Sequence, residues 1–361
     1  MEKRNPPWLR FTPGRALPRW YRFIARLLSH FYYASIDFID ERGHRVLPLD
    51  DAIPTILLVS HRNGATDGWV VSPLLPHGQF LASVQLLRSR FLRLLFTGIP
   101  VVRDKDRVRY GFSRTQAGNP VLHAIAHIKQ GGSLVIFPEG TSEWSYAPQP
   151  YQPGTVKIIR RLLQEGQRFR VIPVGSFYLA PDRFGSRVEL LVGEALVFPA
   201  REDKSQEAWE TEISECVNNA LNQVSVNCAS EAAMVDAECY AQRRQLHGES
   251  WALAFKRAAS GVHAEKQSDK RQRRRNIWAC VLQLPFVLAL FPVLLCAWWV
   301  GRQADGRNTV TFFRLASGFA ASLLWLPCLV TLGILFPWLW LLYAAAYLGW
   351  RQRSVWGEVK A

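Results

Sequence analysis

The chain has 361 residues, 49% of them hydrophobic, 14 tryptophans and a formal net charge of +15. That length fits one large domain or a domain with an appendage, and an aromatic share of 12% excludes disorder over most of it. The charge points to an anionic partner: nucleic acid, an anionic membrane surface or a phosphorylated substrate.

The first residues, MEKRNPPWLRFTPGR, are charged and lack the apolar core of a secretory signal. LPRWYRFIARLLSHF follows, with Leu17, Trp20, Ile24, Leu27, Leu28 and Phe31 on one helical face and Arg19, Arg22 and Arg26 on the other. The same stripe suits a helix lying in a membrane interface or one packed on a core. Residues 1–40 are read as an amphipathic, membrane-associating segment.

Residues 41–202 alternate strand and helix signals. TILLVS reads as a buried strand, and NPVLHAIAHIKQGG as a helix capped by Asn119, opened by Pro120 and stopped by Gly131. SLVIFPEGT is a strand running into a loop, TVKIIRRLLQEG a helix ending at Gly166, and FRVIPVGSFYL and RVELLVGEALVF further strands. This alternation predicts an α/β domain with a mixed, largely parallel sheet flanked by helices.

Residues 203–275 read as a helical linker with a basic segment, EKQSDKRQRRRN, at its end. The cysteines, Cys216, Cys228, Cys239, Cys280, Cys296 and Cys328, form no CxxC pair, so zinc and redox motifs are absent and the chain reads as reduced and cytosol-facing. Residues 276–351 read as a hydrophobic helical hairpin. Ile277–Val300 as one helix would be about 36 Å long, against a bilayer core of about 30 Å. Leu315–Trp350 is uncharged and too long for one straight span, with Pro327 and Pro337 as expected break points. Basic flanks at 265–276 and 351–353 place both ends, and the preceding domain, on the cytoplasmic side of a membrane.

Four polar loops follow strand ends, where α/β folds place ligands. In VSHRNGATDGWV, His61 and Asp67 do not share a face of a regular helix. Either the loop at Asn63 and Gly64 folds back, so that Asp67 accepts from the His61 ring and leaves Nε2 as a base, or Asp67 caps the helix that begins GWVVS. GIPVVRDKDR releases Arg103 and Arg107, whose guanidinium forks suit phosphate oxygens or merely face solvent. FPEGTSEW offers Glu139, Gly140 and Thr141, and in VIPVGS Pro173 ends a strand and shapes a pocket wall.

In order and spacing these four blocks resemble the glycerolipid acyltransferase superfamily, whose members acylate glycerol 3-phosphate and lysophospholipids. FPEGT is the most specific match. The family's first block is usually His, four residues, Asp. Here five residues intervene, as in a branch similar to the fungal glycerol-3-phosphate acyltransferases, which shares an IPVxR block and a proline-rich hydrophobic hairpin. The motifs cover about 55–200, and the hairpin matches by layout.

The resemblance implies an O-acyltransferase that moves an acyl chain from acyl-CoA or acyl carrier protein to a lysophospholipid (1-acylglycerol 3-phosphate) or to glycerol 3-phosphate. His61 would be the base and Asp67 its orienting carboxylate. Arg103, Arg107, Glu139, Gly140, Thr141 and Pro173 would bind substrate, with the Gly140 and Thr141 amides at the thioester oxygen. The thioester is already activated, so no metal or other cofactor is expected, and no G-x-S-x-G elbow is present. The expected partners are a phospholipid membrane, the acyl donor and the acceptor. Nucleic acid is excluded because the basic clusters flank apolar spans and no reader motif occurs. The alternative is a catalytically inactive lipid-binding or membrane-shaping protein of the same fold. The enzyme reading makes one geometric demand: Asp67 within hydrogen-bond reach of the His61 ring.

Overall fold

All five residues of the strand β2 (Thr55–Val59) are buried, the pattern of a strand covered on both faces. The computed structural model describes residues 9–50, 52–103, 106, 108–109, 111, 118–261 and 275–354, with 246 and 275–280 as backbone alone. Among them β2 joins β1 (Ser35–Asp40), β3 (Gln79–Ser83), β4 (Ile99–Val101), β5 (Leu134–Ile136), β6 (Arg170–Tyr178) and β7 (Arg187–Val192) in a seven-stranded sheet of order β1-β7-β6-β2-β5-β3-β4. Every neighbouring pair is parallel except β6 with β7. The mixed, largely parallel sheet expected from the alternation is present.

Helices cover both faces: α1 (Arg19–Tyr32), α2 (Thr66–Val71), α3 (Val84–Arg88), α4 (Pro120–Lys129), α5 (Pro153–Gln164), α6 (Gln206–Val224), α7 (Glu231–Leu246) and α8 (Trp251–Ala259). Successive strand side chains point to opposite faces. Leu57 and Val59 therefore pack with Trp69 and Val70 of α2 and Tyr21, Ala25 and Leu28 of α1. Ile56 and Leu58 pack on the other side with Ile125 and Ile128 of α4, Ile159 of α5 and Ile213 and Val217 of α6. α4 starts as its sequence predicts: Asn119 Oδ1 accepts from the Val121 N–H at 2.9 Å, and Pro120 opens the helix.

Three expectations change here. Residues 206–259 are part of the core rather than a connection. Besides α6, the helices α7 and α8 bury Met234, Ala237, Trp251 and Phe255 against Phe177 and Leu191 of the sheet. α1 packs on the core, but its buried stripe is Tyr21, Ala25, Leu28 and Tyr32, because the tyrosine rings fill the layer under β2 and β6. Trp20, Phe23 and Leu27 remain exposed beside Arg19 and Arg26. Pro173 does not end its strand. β6 runs through it, with the ring where β7 has ended at Val192, so its missing N–H leaves no ladder position empty.

The C-terminal part comprises α9 (Arg275–Ala289), α10 (Phe291–Gly301), α11 (Arg307–Leu335) and α12 (Leu339–Arg351). The expected single helix from Ile277 to Val300 is broken at Leu290 by an 88° bend. Pro292, at the second position of α10, cannot donate to the preceding turn and crowds its carbonyl. Pro327 does not break α11, whereas Pro337 separates α11 from α12. At 29 residues α11 is about 44 Å long, and it is long and apolar enough to cross a membrane. It starts at Arg307 and includes Arg314. Of the basic flanks, 265–274 lies outside the described residues. Arg353 is buried and donates to the carbonyls of His30 and Tyr33 at 2.7 and 2.9 Å, capping the end of α1 rather than meeting headgroups.

The attachment of α6 can be tested at one glycine. A Cβ at Gly175 in β6 would overlap the Val224 carbonyl oxygen at the end of α6. Gly175→Ala is expected to destabilise the protein by about 3 kcal/mol, read as a lowered midpoint in thermal unfolding. An unchanged midpoint would mean that α6 is not seated on the sheet.

Candidate active site

β2 and β5 are parallel neighbours, with Leu57 opposite Val135 and Leu58 opposite Ile136. The chain leaves β2 for α2 in one helix layer and leaves β5 for α5 in the other. A crevice opens at the carboxyl ends of two such strands. In this sheet the loops 60–66 and 137–146, which carry two of the four blocks singled out in the sequence, leave from those ends.

His61 and Asp67 meet there. The His61 ring lies with Nδ1 2.9 Å from Asp67 Oδ2, satisfying the geometric demand. Asp67 is not the cap of α2. It lies inside the first turn of that helix, where Ala65 holds the capping position. Its carboxylate turns back instead, with Oδ2 also accepting from the Arg62 and Asn63 N–H groups at 2.9 and 2.8 Å. The Tyr178 hydroxyl of β6 donates to Oδ1. Four donors thus converge on a side chain with no exposure. The additional residue in the spacing is absorbed where expected: Gly64 takes φ +57°, a conformation that favours glycine, and the Thr66 hydroxyl donates to the Asn63 carbonyl.

The His61 ring stacks on Phe137 at 4.4 Å between centroids, and its side chain keeps 18% exposure. With Nδ1 held by a carboxylate, Nε2 of the neutral ring is the acceptor nitrogen. Ser60 is not a nucleophile here: its Oγ accepts from the Ser176 N–H at 2.8 Å, inside the sheet.

Glu139 acts differently from the expectation that it meets substrate. It is buried, and its two oxygens accept from the His61 and Gln149 N–H groups at 2.8 and 2.9 Å. It clamps the loop after β5 to the loop after β2. Burial lifts its carboxyl above the usual range, while the two amide hydrogen bonds and the nearby His61 and Arg62 pull it down. The Gly140 N–H, expected at a thioester oxygen, is engaged by the Phe137 carbonyl at 3.0 Å. Gly140 and Thr141 are both exposed at the edge of the crevice.

The other expected substrate groups are not assembled with this pair. Arg103 follows β4, three strand positions from β2, or about 14 Å at the usual spacing. Its Nε lies 2.9 Å from Asp106 Oδ2 and its Nη2 3.1 Å from Gln85 Oε1, so the guanidinium is held on its own strand end. Arg107 lies outside the described residues. Pro173 sits opposite Leu58 within the sheet, its carbonyl accepting from the Gly193 N–H at 2.9 Å.

No family model matches the chain, and no curated protein matches it. Among solved structures it is similar to the 1-acyl-sn-glycerophosphate (LPA) acyltransferase PlsC from Thermotoga maritima. The identity is 19% and the TM-score 0.36, over 56% of this chain and 76% of that one.

Several site residues carry no motif signal. Arg62 is buried beside His61, stacks 4.2 Å over Trp144, and donates to the Ser145 carbonyl at 2.7 Å. Burial brings its pKa down to about 10, against the opposing pull of Glu238, Glu139 and Asp67. Arg307 from α11 also stacks on Trp144, at 4.9 Å. Tyr33, at the end of α1, accepts from Asn63 Nδ2 at 2.9 Å. Only His61, Asp67 and the FPEGT loop were marked by spacing; Tyr33, Tyr178 and Arg307 reach the site through the fold alone.

Glu139 generates two expectations. Glu139→Ala leaves two part-buried N–H groups without their acceptor and should cost about 2 kcal/mol in urea unfolding. Because burial raises the native pKa of Glu139 above its unfolded value, the native state binds this proton more tightly, and stability from this group rises as pH falls. The unfolding free energy of wild type minus that of Glu139→Gln should therefore increase as pH drops from about 7 to about 4.3. A difference that stays flat across that range would contradict the assignment.

Proposed function

We propose that the chain is a membrane-bound O-acyltransferase that transfers an acyl chain from acyl-CoA or acyl carrier protein to the hydroxyl of a lysophospholipid, such as 1-acylglycerol 3-phosphate, or of glycerol 3-phosphate. The observation that carries the reading is the His61 ring held by the buried Asp67 carboxylate at 2.9 Å, just past the carboxyl end of β2 beside the parallel β5.

An acceptor hydroxyl needs a base at the moment of attack. His61 Nε2 takes the hydroxyl proton as the oxygen bonds to the thioester carbonyl carbon. Asp67 holds the ring and stabilises the imidazolium that forms. Collapse of the tetrahedral intermediate breaks the C–S bond, and the proton passes from His61 to the departing thiolate. No covalent enzyme intermediate is required, because the thioester is itself activated. Arg62 and Arg307 stack on Trp144 close to the base, Arg62 facing the buried Asp67 and Glu139 carboxylates and Arg307 paired with Asp182.

A membrane site is supported by the surface of the C-terminal helices. Leu324, Ile334, Leu335, Trp338, Leu341 and Leu348 are all exposed there, an apolar extent that a water-facing surface seldom carries. The basic flank at 265–276 favours a catalytic domain on the cytosolic side.

The reading is tested by labelled acyl-CoA against a panel of lysophospholipids and glycerol 3-phosphate. His61→Ala and Asp67→Ala, with their fold intact, should each lower transfer by about 10²- to 10⁴-fold. Wild-type-like transfer by both variants would overturn the mechanism. Lipid binding without transfer by the wild type would favour the inactive lipid-binding protein instead.

A further inference from the structure

The first turn of α11 sits against the crevice. A Cβ at Gly64, in the loop between His61 and Asp67, would lie 2.9 Å from the Asn308 carbonyl oxygen. The Thr311 hydroxyl donates to the Pro181 carbonyl, and Arg307 Nε lies 3.0 Å from Asp182 Oδ1. Phe312 packs on Phe96, which stacks on Trp69, two residues past Asp67. The helix that runs outward as the candidate span is therefore seated on both sides of the His61–Asp67 loop.

One of its side chains reaches further. Asn308 Nδ2 donates to the Ser142 carbonyl at 2.8 Å and lies 3.1 Å from Ser142 Oγ. The other end of that same peptide group, the Glu143 N–H, donates to the His61 carbonyl at 3.2 Å. A peptide group is planar and rigid, so turning one end turns the other. The His61 backbone is thus held at its N–H by Glu139 and at its carbonyl by a peptide whose orientation Asn308 sets.

We propose that Asn308 is a positioning residue for His61, acting through the Ser142–Glu143 peptide and making the head of the hairpin part of the active-site wall. This role adds to the acyltransferase reading and rests on it for its kinetic readout. The apolar C-terminal part then has two functions, anchoring and alignment of the base, and both meet at Asn308.

The discriminating variant is Asn308→Asp in the full chain. It keeps the size of the side chain but loses the donor and turns a carboxylate towards the Ser142 carbonyl. Asp near the start of a helix is favourable to the helix itself, so any loss of stability comes from the Ser142 contact, and a merely structural Asn308 predicts that loss with normal turnover. The proposal predicts kcat lowered about 10-fold, because small misplacements of a reacting group are costly. It also predicts an unchanged KM for the acyl donor and a changed rate of His61 carbethoxylation by diethyl pyrocarbonate, followed by peptide mass spectrometry. Wild-type kcat with a wild-type carbethoxylation rate overturns it. Asn308→Ala, which deletes the amide without adding charge, decides the same two readings if the charged variant does not fold. A wild type that transfers no acyl chain counts against the enzyme reading alone, since the His61 modification rate still decides the proposal.

Discussion

The buried carboxylate of Asp67 is the constraint on which the site depends. An ionised carboxylate removed from water is costly unless donors replace its hydration. Here the His61 ring, two successive backbone N–H groups and the Tyr178 hydroxyl do so. The two backbone contacts impose a loop shape in which residues 62 and 63 point their amides at a side chain downstream. That shape requires the positive φ of Gly64, and it brings His61 over Asp67 although their spacing suits no regular element. Orientation of the ring and folding of the loop are one interaction.

Glu139 plays the corresponding part between loops. Strands β2 and β5 are neighbours in the sheet, but their following segments diverge into opposite helix layers. A buried carboxylate accepting from His61 on one side and Gln149 on the other ties the two loops across the crevice. Arg62, buried between them and stacked on Trp144, supplies compensating positive charge. Two buried acids and one buried base form a local charge system in which each group is hydrogen-bonded, the condition under which buried charges are tolerated.

The C-terminal helices are integrated with this framework more closely than an anchor needs to be. α11 contributes Leu315 to the core under β2 and closes on the crevice with its first turn. Arg353, beyond α12, caps α1 at Tyr33, whose hydroxyl accepts from Asn63 in the loop between His61 and Asp67. The head of the hairpin and its C-terminal end thus contact the elements that shape the loop of His61. The exposed apolar side chains run along these helices, from Val281 to Trp299 and from Leu323 to Leu348.

Local chemistry in the sequence determined much of this protein. A continuous apolar run set β2 and its two covered faces, Asn119 and Pro120 set the start of α4, and uncharged runs set the C-terminal helices. His61, Asp67 and the FPEGT loop were legible as a constellation, because a base, a carboxylate and strand-end loops leave a pattern in linear order. That Glu139 meets two backbone amides and that Pro173 lies inside its strand could not be read from the same pattern. A carboxylate next to a glycine looks alike whether it faces ligand or two backbone amides, and a proline looks like a strand end unless the neighbouring strand is known to stop first. Tertiary structure alone decided which groups touch: Tyr178 reaches Asp67 across 111 residues, and Asn308 reaches Ser142 across 166. It also decided that Pro292 bends the apolar run while Pro327 does not. The physical reason is common to these cases. A hydrogen bond or a bend depends on what occupies the space beside a residue, and strand order and helix packing assign that space from distant parts of the chain.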